Sequence, residues 1–433
     1  MTVRINKPVQ GGTIRAIISK SDVHRLLICA ALSDKEAFIY CPQRSEDIEA
    51  TERCLVALGA GLRHGLDNIF VNPIPHSPAP IPPITMDCGE SGSTLRFLLP
   101  VCAALGINAS FIMKGRLGER PISPLLNELA AKGCTILEHS SERITISGQL
   151  LNGEYTLPGD ISSQFISGLL LALPLLDGES IIRTSGHIES RPYIDMTLGV
   201  LMIFGINIIE EDGNVFRIPG RKAGKTMGEL NEGKSPLIIK PSGDWSNAAF
   251  WLAAGAIGKD EITCTGIFAG SKQGDWAIIG ILQSFGAFVT CENGKVNVTS
   301  SKLRGINIDV KDTPDLVPVI AALASVAEGK TVIRNAKRLR LKESDRLKTT
   351  ALSLSNLGAD IIETDDGLII EGKKELAGGE TPSYGDHRIA MAAAILSSVC
   401  IEPVVIKDAE AVNKSYPDFF KDFQSLGGVC EIT

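Results

Sequence analysis

The 433-residue chain carries 43 basic and 50 acidic residues, 44% hydrophobic residues and a net charge of −7. That composition excludes a single small module, a disordered chain and any general electrostatic grip on nucleic acid or an anionic membrane. Its longest apolar runs, Leu169 to Leu176 and Leu316 to Ala327, are too short for a membrane span, and Met1 to Gln10 lacks the pattern of a secretory signal, so a cytoplasmic protein is expected.

Val3 to Ile18 reads as a strand pair. Beyond it the chain repeats: an amphipathic helix ending at a glycine, followed by a β-branched strand, occurs six times. The glycines are Gly59, Gly133, Gly205, Gly286, Gly358 and Gly427, separated by 74, 72, 81, 72 and 69 residues. Each is expected to take the left-handed conformation that ends a helix. Most lead into a hairpin, such as Cys134 to Leu137 with Arg143 to Ser147. Upstream of each lies a second, more apolar helix opened by a small polar or acidic residue: Ser21, Ser93, Ser163, Ser246, Asp312 and Asp386. Each unit therefore reads strand, helix, strand, helix, hairpin.

The long gap between Gly205 and Gly286 holds a glycine- and lysine-rich segment, Gly220 to Gly233, and then Pro236 to Pro241. A boundary there leaves three units on either side. The expected fold is α/β (α+β) with two domains: residues 19–235, and a discontinuous domain of residues 1–18 plus 236–433. Three equivalent units around an approximate threefold axis would place their helix N-termini on one face. Six such positive ends lining a cleft attract phosphate and carboxylate even on an acidic protein. A repeat scaffold that only binds partners is the competing reading.

Several motifs sit at those helix starts. Ser19-Lys20-Ser21 with Arg25 puts two cations and two hydroxyls within about one turn, and Gly89-Glu90-Ser91-Gly92-Ser93-Thr94 with Arg96 is a turn whose backbone can approach an anion closely. Arg120 and Arg191 each precede a proline. Ser162-Ser163-Gln164 suits a polyhydroxylated ring. Lys342-Glu343-Ser344-Asp345-Arg346, Asp386-His387-Arg388 and Lys414-Ser415-Tyr416-Pro417 complete the set. Singly, each also reads as capping, an ordinary loop or a salt-bridged turn. Gly220 to Thr226 is not a P-loop, since three residues rather than four separate its glycines. Ten cysteines without a C-x-x-C pair, and six histidines without metal-site spacing, point to reduced thiols and to no metal or cofactor.

Together these motifs, with Pro314-Asp315 and Tyr193-Ile194-Asp195, resemble the EPSP synthase (3-phosphoshikimate 1-carboxyvinyltransferase) family of enolpyruvyl transferases along nearly the whole chain. The resemblance implies a two-domain inverse α/β barrel, each domain of three repeated strand-helix units around a pseudo-threefold axis, with the active site in an interdomain cleft that closes on its substrates. It implies transfer of the enolpyruvyl group of phosphoenolpyruvate to the 5-hydroxyl of shikimate 3-phosphate, in chorismate and aromatic amino acid biosynthesis. Lys20, Ser21, Arg25, Ser162, Ser163, Gln164, Ser190, Tyr193, Asp315 and Lys342 would hold shikimate 3-phosphate. Lys20, Gly92, Arg120, Gln164, Arg346, Arg388 and Lys414 would hold phosphoenolpyruvate. Asp315 would deprotonate the hydroxyl and Lys20 or Glu343 would protonate the methylene carbon, with His387 also among the catalytic candidates. The family further suggests a monomer and glyphosate as a candidate inhibitor.

Glu90 and Phe97 stand where many bacterial relatives have Asn and Pro, which bears on inhibitor sensitivity rather than on the reaction. The alternatives are the sister enzyme UDP-N-acetylglucosamine 1-carboxyvinyltransferase, whose loop cysteine has no counterpart between Lys114 and Arg120, and a catalytically silent scaffold.

Overall fold

Six glycines set the period of the chain. Gly59, Gly133, Gly205, Gly286, Gly358 and Gly427 all take positive φ, between 79° and 101°, where a Cβ would be strained. Each follows the second helix of a repeat: Glu46–Ala57, Ser123–Ala131, Arg191–Ile203, Ile278–Phe285, Arg346–Asn356 and Phe419–Ser425. The first helices are Lys20–Leu32, Gly92–Ala104, Ser163–Ala172, Trp245–Ile257, Val317–Ala324 and His387–Leu396. Beyond their first two turns these are apolar nearly all round, and every residue of the last two is buried, as expected of helices enclosed by sheets.

The structure is a computed structural model and describes residues 1–75, 83–220 and 236–433. Nearly all of the glycine- and lysine-rich segment expected as a linker, and of the Gly220 to Thr226 loop, lies outside the described residues. The chain forms two compact units, one of Met1–Ser19 with Ser242–Thr433 and one of Lys20–Pro241. Among the described residues each unit holds three four-stranded sheets.

One repeat shows the plan. Glu154–Pro158 lies parallel to Ser180–Ser185, as strands joined through a helix do. Val215–Ile218 then pairs antiparallel with Ser180–Ser185, and Ile209–Glu211 with Val215–Ile218. Segments distant in sequence complete three of the sheets. Leu237–Ile239 pairs parallel with Ala37–Tyr40, so the return crossing falls between Pro241 and Ser242 rather than before residue 236. Thr2–Lys7 lies between Val404–Lys407 and Val429–Ile432, and Gly12–Arg15 lies beside Ile262–Thr265. The strand pair expected over Val3 to Ile18 is therefore not a pair. Its two halves each find a partner left open in a different sheet.

The helix openings differ from expectation by small steps. Ser91, Ser162 and Asp244 are the caps rather than Ser93, Ser163 and Ser246. Ser21 lies within its helix, and the turn Pro314–Leu316 separates Asp312 from Val317–Ala324. A cap needs extended backbone and an oxygen that reaches an N–H two or three residues on, and runs of adjacent polar residues offer several candidates. Asp386 caps as expected, accepting from Arg388 N.

Candidate active site

The helix starts of each unit gather the residues singled out from the sequence. In the unit of Lys20–Pro241, Lys20 Nζ pairs with Asp47 Oδ2 at 2.7 Å. Arg25 is buried over the face of Phe97, 4.9 Å from its centroid. It donates from Nε to Thr197 Oγ1 (2.7 Å), from Nη1 to Ser21 O (2.8 Å) and from Nη2 to Tyr193 O (2.9 Å). Protein acceptors thus take three of its N–H groups, and burial lowers its pKa to about 10, leaving it charged at neutral pH.

A second group forms around Gly92. A Cβ placed there would lie 2.8 Å from Arg96 Nη1 and 2.9 Å from Arg120 Nη1. Two guanidiniums therefore press against this backbone turn. Arg96 donates to Gln164 Oε1 (2.7 Å) and to Pro121 O (3.1 Å), and Gln164 Nε2 donates to Ser93 Oγ (3.0 Å). Arg120 Nε is buried without a hydrogen-bond partner. Ser162 caps the helix of Ser163 and Gln164, accepting from Gln164 N at 3.3 Å. Ser190, at the start of Arg191–Ile203, holds φ at 55°, an uncommon backbone for serine of the kind that clusters at functional sites.

In the unit of Met1–Ser19 with Ser242–Thr433, the residues interlock as an ion network. Asp315 Oδ1 meets Arg346 Nη1 at 2.8 Å and Lys342 Nζ at 3.3 Å, while Oδ2 meets Arg388 Nη2 at 3.3 Å. Arg346 also donates to Glu343 Oε2 at 2.5 Å and to Asp386 Oδ2 at 2.9 Å. Burial opposes its charge, but Asp386, Glu343 and Asp315 outweigh burial and raise its pKa above the arginine value. Asp386 is fully buried and also takes Ser344 Oγ (3.1 Å) and Arg388 N (3.0 Å). His387 Nδ1 lies 4.0 Å from Asp386 Oδ1, and Lys414 Nζ donates to Gly385 O at 3.0 Å.

Behind this network lies Asp275, buried and hydrogen-bonded by Ser246 Oγ. Burial pushes its carboxyl up to about 6, with Asp315 and Asp244 adding to the rise and Arg388 and Ser246 opposing it. Asp47, Asp275 and the hub role of Asp386 were not legible as site features. Only the four-residue spacing of Lys20 and His24, matched by that of Asp47 and Thr51, hints at the helix pair described below.

Residues 3–423 match the family model described as EPSP synthase (3-phosphoshikimate 1-carboxyvinyltransferase). The chain belongs to the EPSP synthase family. It is 44% identical to the 3-phosphoshikimate 1-carboxyvinyltransferase of Clostridium kluyveri, over 98% of this chain and 97% of that one. It is 41% identical to that of Clostridium perfringens, over 96% of each. A solved EPSP synthase of Acinetobacter baumannii superposes with a TM-score of 0.82 at 26% identity, covering 100% of this chain and 99% of that one.

Phe97 and Glu90, singled out from the sequence as bearing on inhibitor sensitivity, have defined surroundings. Phe97 carries the Arg25 guanidinium, and the Glu90 carboxyl lies where a Cβ on Gly115 would be, 2.5 Å from Cδ. Among the described residues no His, Cys, Asp and Glu side chains cluster as a metal site, and no helix is long and apolar enough to cross a membrane. All ten cysteines are free and eight are buried.

Proposed function

We infer that the protein transfers the enolpyruvyl group of phosphoenolpyruvate to the 5-hydroxyl of shikimate 3-phosphate, releasing phosphate. The observation that carries this reading is the family match over residues 3–423, which spans every motif residue named above. Both substrates are anionic, and their mutual repulsion must be offset before the hydroxyl oxygen can reach the enol carbon. Lys20, Gly92, Arg120, Gln164, Arg346, Arg388 and Lys414 are assigned to phosphoenolpyruvate. Arg25, Ser21, Ser162, Ser163, Ser190, Tyr193 and Lys342 are assigned to shikimate 3-phosphate.

Asp315 takes the hydroxyl proton as the oxygen attacks carbon 2 of phosphoenolpyruvate. Its oxygens already accept from Lys342, Arg346 and Arg388. Substrate anions that draw Lys342 and Arg388 onto themselves would free those oxygens for the proton. A proton delivered to the methylene carbon gives a tetrahedral intermediate. Loss of a proton from the resulting methyl group, with departure of phosphate, then restores the double bond. The ion pairs favour Lys20, an ammonium held by Asp47, as the donor. Glu343, which accepts from Arg346, suits the return proton. Glyphosate is proposed to occupy the phosphoenolpyruvate place.

The test is phosphate release from phosphoenolpyruvate with shikimate 3-phosphate or UDP-N-acetylglucosamine as acceptor, with and without EDTA. Release should require shikimate 3-phosphate and survive chelation. Equal turnover with the sugar nucleotide, or loss of activity with EDTA, would sink this reading.

A further inference from the structure

A buried chain of hydroxyls joins two of the helix starts in the unit of Lys20–Pro241. His24 Nδ1 lies 2.7 Å from Thr51 Oγ1, Thr51 Oγ1 lies 2.7 Å from Thr94 Oγ1, and Thr94 Oγ1 donates to Ser91 Oγ at 2.7 Å. Ser91 Oγ also caps helix Gly92–Ala104, accepting from Thr94 N at 3.3 Å. All four residues are buried.

The directions of these bonds follow by counting hydrogens. Thr94 gives its only hydroxyl hydrogen to Ser91, so it accepts from Thr51. Thr51 then has no hydrogen left for His24, and must accept one from Nδ1. Nδ1 of His24 therefore carries a proton, and Nε2 is buried and finds no partner. Its pKa is held well below the ordinary histidine value, chiefly by burial and then by the charges of Lys20 and Arg25. Burial therefore keeps the ring neutral, with Nε2 a lone pair, while the wiring itself needs only the proton on Nδ1. Ser91 accepts twice and keeps its own O–H as the outgoing donor, at the turn that bears Gly92.

The helix that supplies Thr51 acts as a splint. Asp47 and Thr51 are four residues apart on Glu46–Ala57, and so share one face, as do Lys20 and His24 on Lys20–Leu32. The two helices therefore meet at two points one turn apart, Lys20 with Asp47 and His24 with Thr51, each at 2.7 Å. Through Thr94 the same splint reaches the start of Gly92–Ala104.

We propose that His24, Thr51 and Thr94 are positioning residues for phosphoenolpyruvate: their relay fixes Ser91 and the first N–H groups of helix Gly92–Ala104 in register with Lys20. This rests on the assignment of Lys20 and Gly92 to phosphoenolpyruvate. No substrate contact by the three residues is invoked, and their effect passes through the turn.

Thr51→Val keeps the shape of the side chain and removes the hydroxyl from the middle of the relay. It should raise the KM for phosphoenolpyruvate by about 5- to 30-fold, the scale of one or two net hydrogen bonds. The KM for shikimate 3-phosphate and kcat should change far less, and Thr51→Ser should restore the wild-type value. A folded Thr51→Val protein with unchanged KM for phosphoenolpyruvate, or with both KM values raised alike, would overturn the proposal. An inactive wild type would instead strike the functional reading itself.

A second measurement needs no variant. Nitrogen NMR of the histidine rings in the wild-type protein should show His24 neutral and protonated at Nδ1 across the neutral pH range. A ring protonated at Nε2 and bare at Nδ1 would overturn the wiring whatever the kinetics show.

Discussion

Arg25 and Arg346 are both buried arginines near the first turn of a helix, one in each unit, and they are held in opposite ways. Arg25 rests on two carbonyls, a hydroxyl and an aromatic face. Arg346 is caged by the carboxylates of Asp315, Glu343 and Asp386. Burial pulls both pKa values down, and only the cage reverses the sign. Neutral acceptors satisfy a guanidinium without cancelling its charge, so that charge remains available to an anionic ligand. A carboxylate cage offsets the charge, so an anion drawn to Arg346 must compete with carboxylates, and every member depends on the others.

The largest expected effect follows from removing the caged arginine. Arg346→Met would leave Glu343 and the buried Asp386 without their arginine, and Asp315 held only by Lys342 and Arg388, at a cost of about 3 to 5 kcal/mol. Arg25→Met strands only neutral groups and should cost about 1 to 3 kcal/mol. Urea denaturation of the two variants checks this, and equal losses would erase the distinction between the units.

Next comes Asp315→Asn, which keeps the shape of the network but removes the proposed base. Turnover should fall by about 10² or more with substrate binding largely kept. Near-normal turnover would move the base elsewhere.

Gly92→Ala sharpens the other side of the comparison. The new methyl would press on the far ends of Arg96 and Arg120 rather than on backbone, so the fold should tolerate it while anion binding suffers. Overpacking of about 1 to 3 kcal/mol predicts a loss of roughly 5- to 150-fold in phosphoenolpyruvate affinity. The inhibition constant of glyphosate, the longer molecule, should rise by a larger factor than the phosphoenolpyruvate KM. Equal factors would mean that Gly92 is only a turn residue.

The smallest effect concerns Asp275. Its folded-state pKa of about 6 lies above the ordinary carboxylate range, so the folded protein holds this proton more tightly than the unfolded chain does. The stabilisation is complete below the unfolded pKa and is lost as pH rises through about 6. Asp275→Asn, which stays neutral, should therefore raise Tm modestly at pH above this window and leave it unchanged at acid pH. A lower Tm at neutral pH would show that the ionised carboxylate is needed by Arg388.

The period of the fold was legible because it rests on local chemistry. A glycine that must turn left-handed, such as Gly286 at φ 98°, is visible in sequence, and so is an apolar helix such as Leu316 to Ala322. The closing strands were not. The sequence groups residues 1–18 with residues 236–433, but nothing near Thr2–Lys7 or Leu237–Ile239 reveals which strands each joins. The same holds for the candidate site. Lys20, Arg120 and Asp315 stood out by type and motif. Their holders, Asp47 for Lys20 and the Asp386 hub for Arg346, are joined only by folding, across 27 and 40 residues. Gln164 similarly meets Ser93 and Arg96 across 71 and 68 residues.

Enolpyruvyl transfer is tested most directly by the fate of the bridging oxygen of phosphoenolpyruvate. Addition to carbon 2 followed by loss of phosphate breaks the carbon–oxygen bond, whereas phosphoryl transfer or simple hydrolysis at phosphorus breaks the phosphorus–oxygen bond. Phosphoenolpyruvate carrying heavy oxygen at the bridge, turned over with shikimate 3-phosphate, should place the label in the released phosphate and yield an acceptor heavier by one enolpyruvyl group. Label retained in pyruvate, with no enolpyruvyl-bearing acceptor, would contradict the assignment.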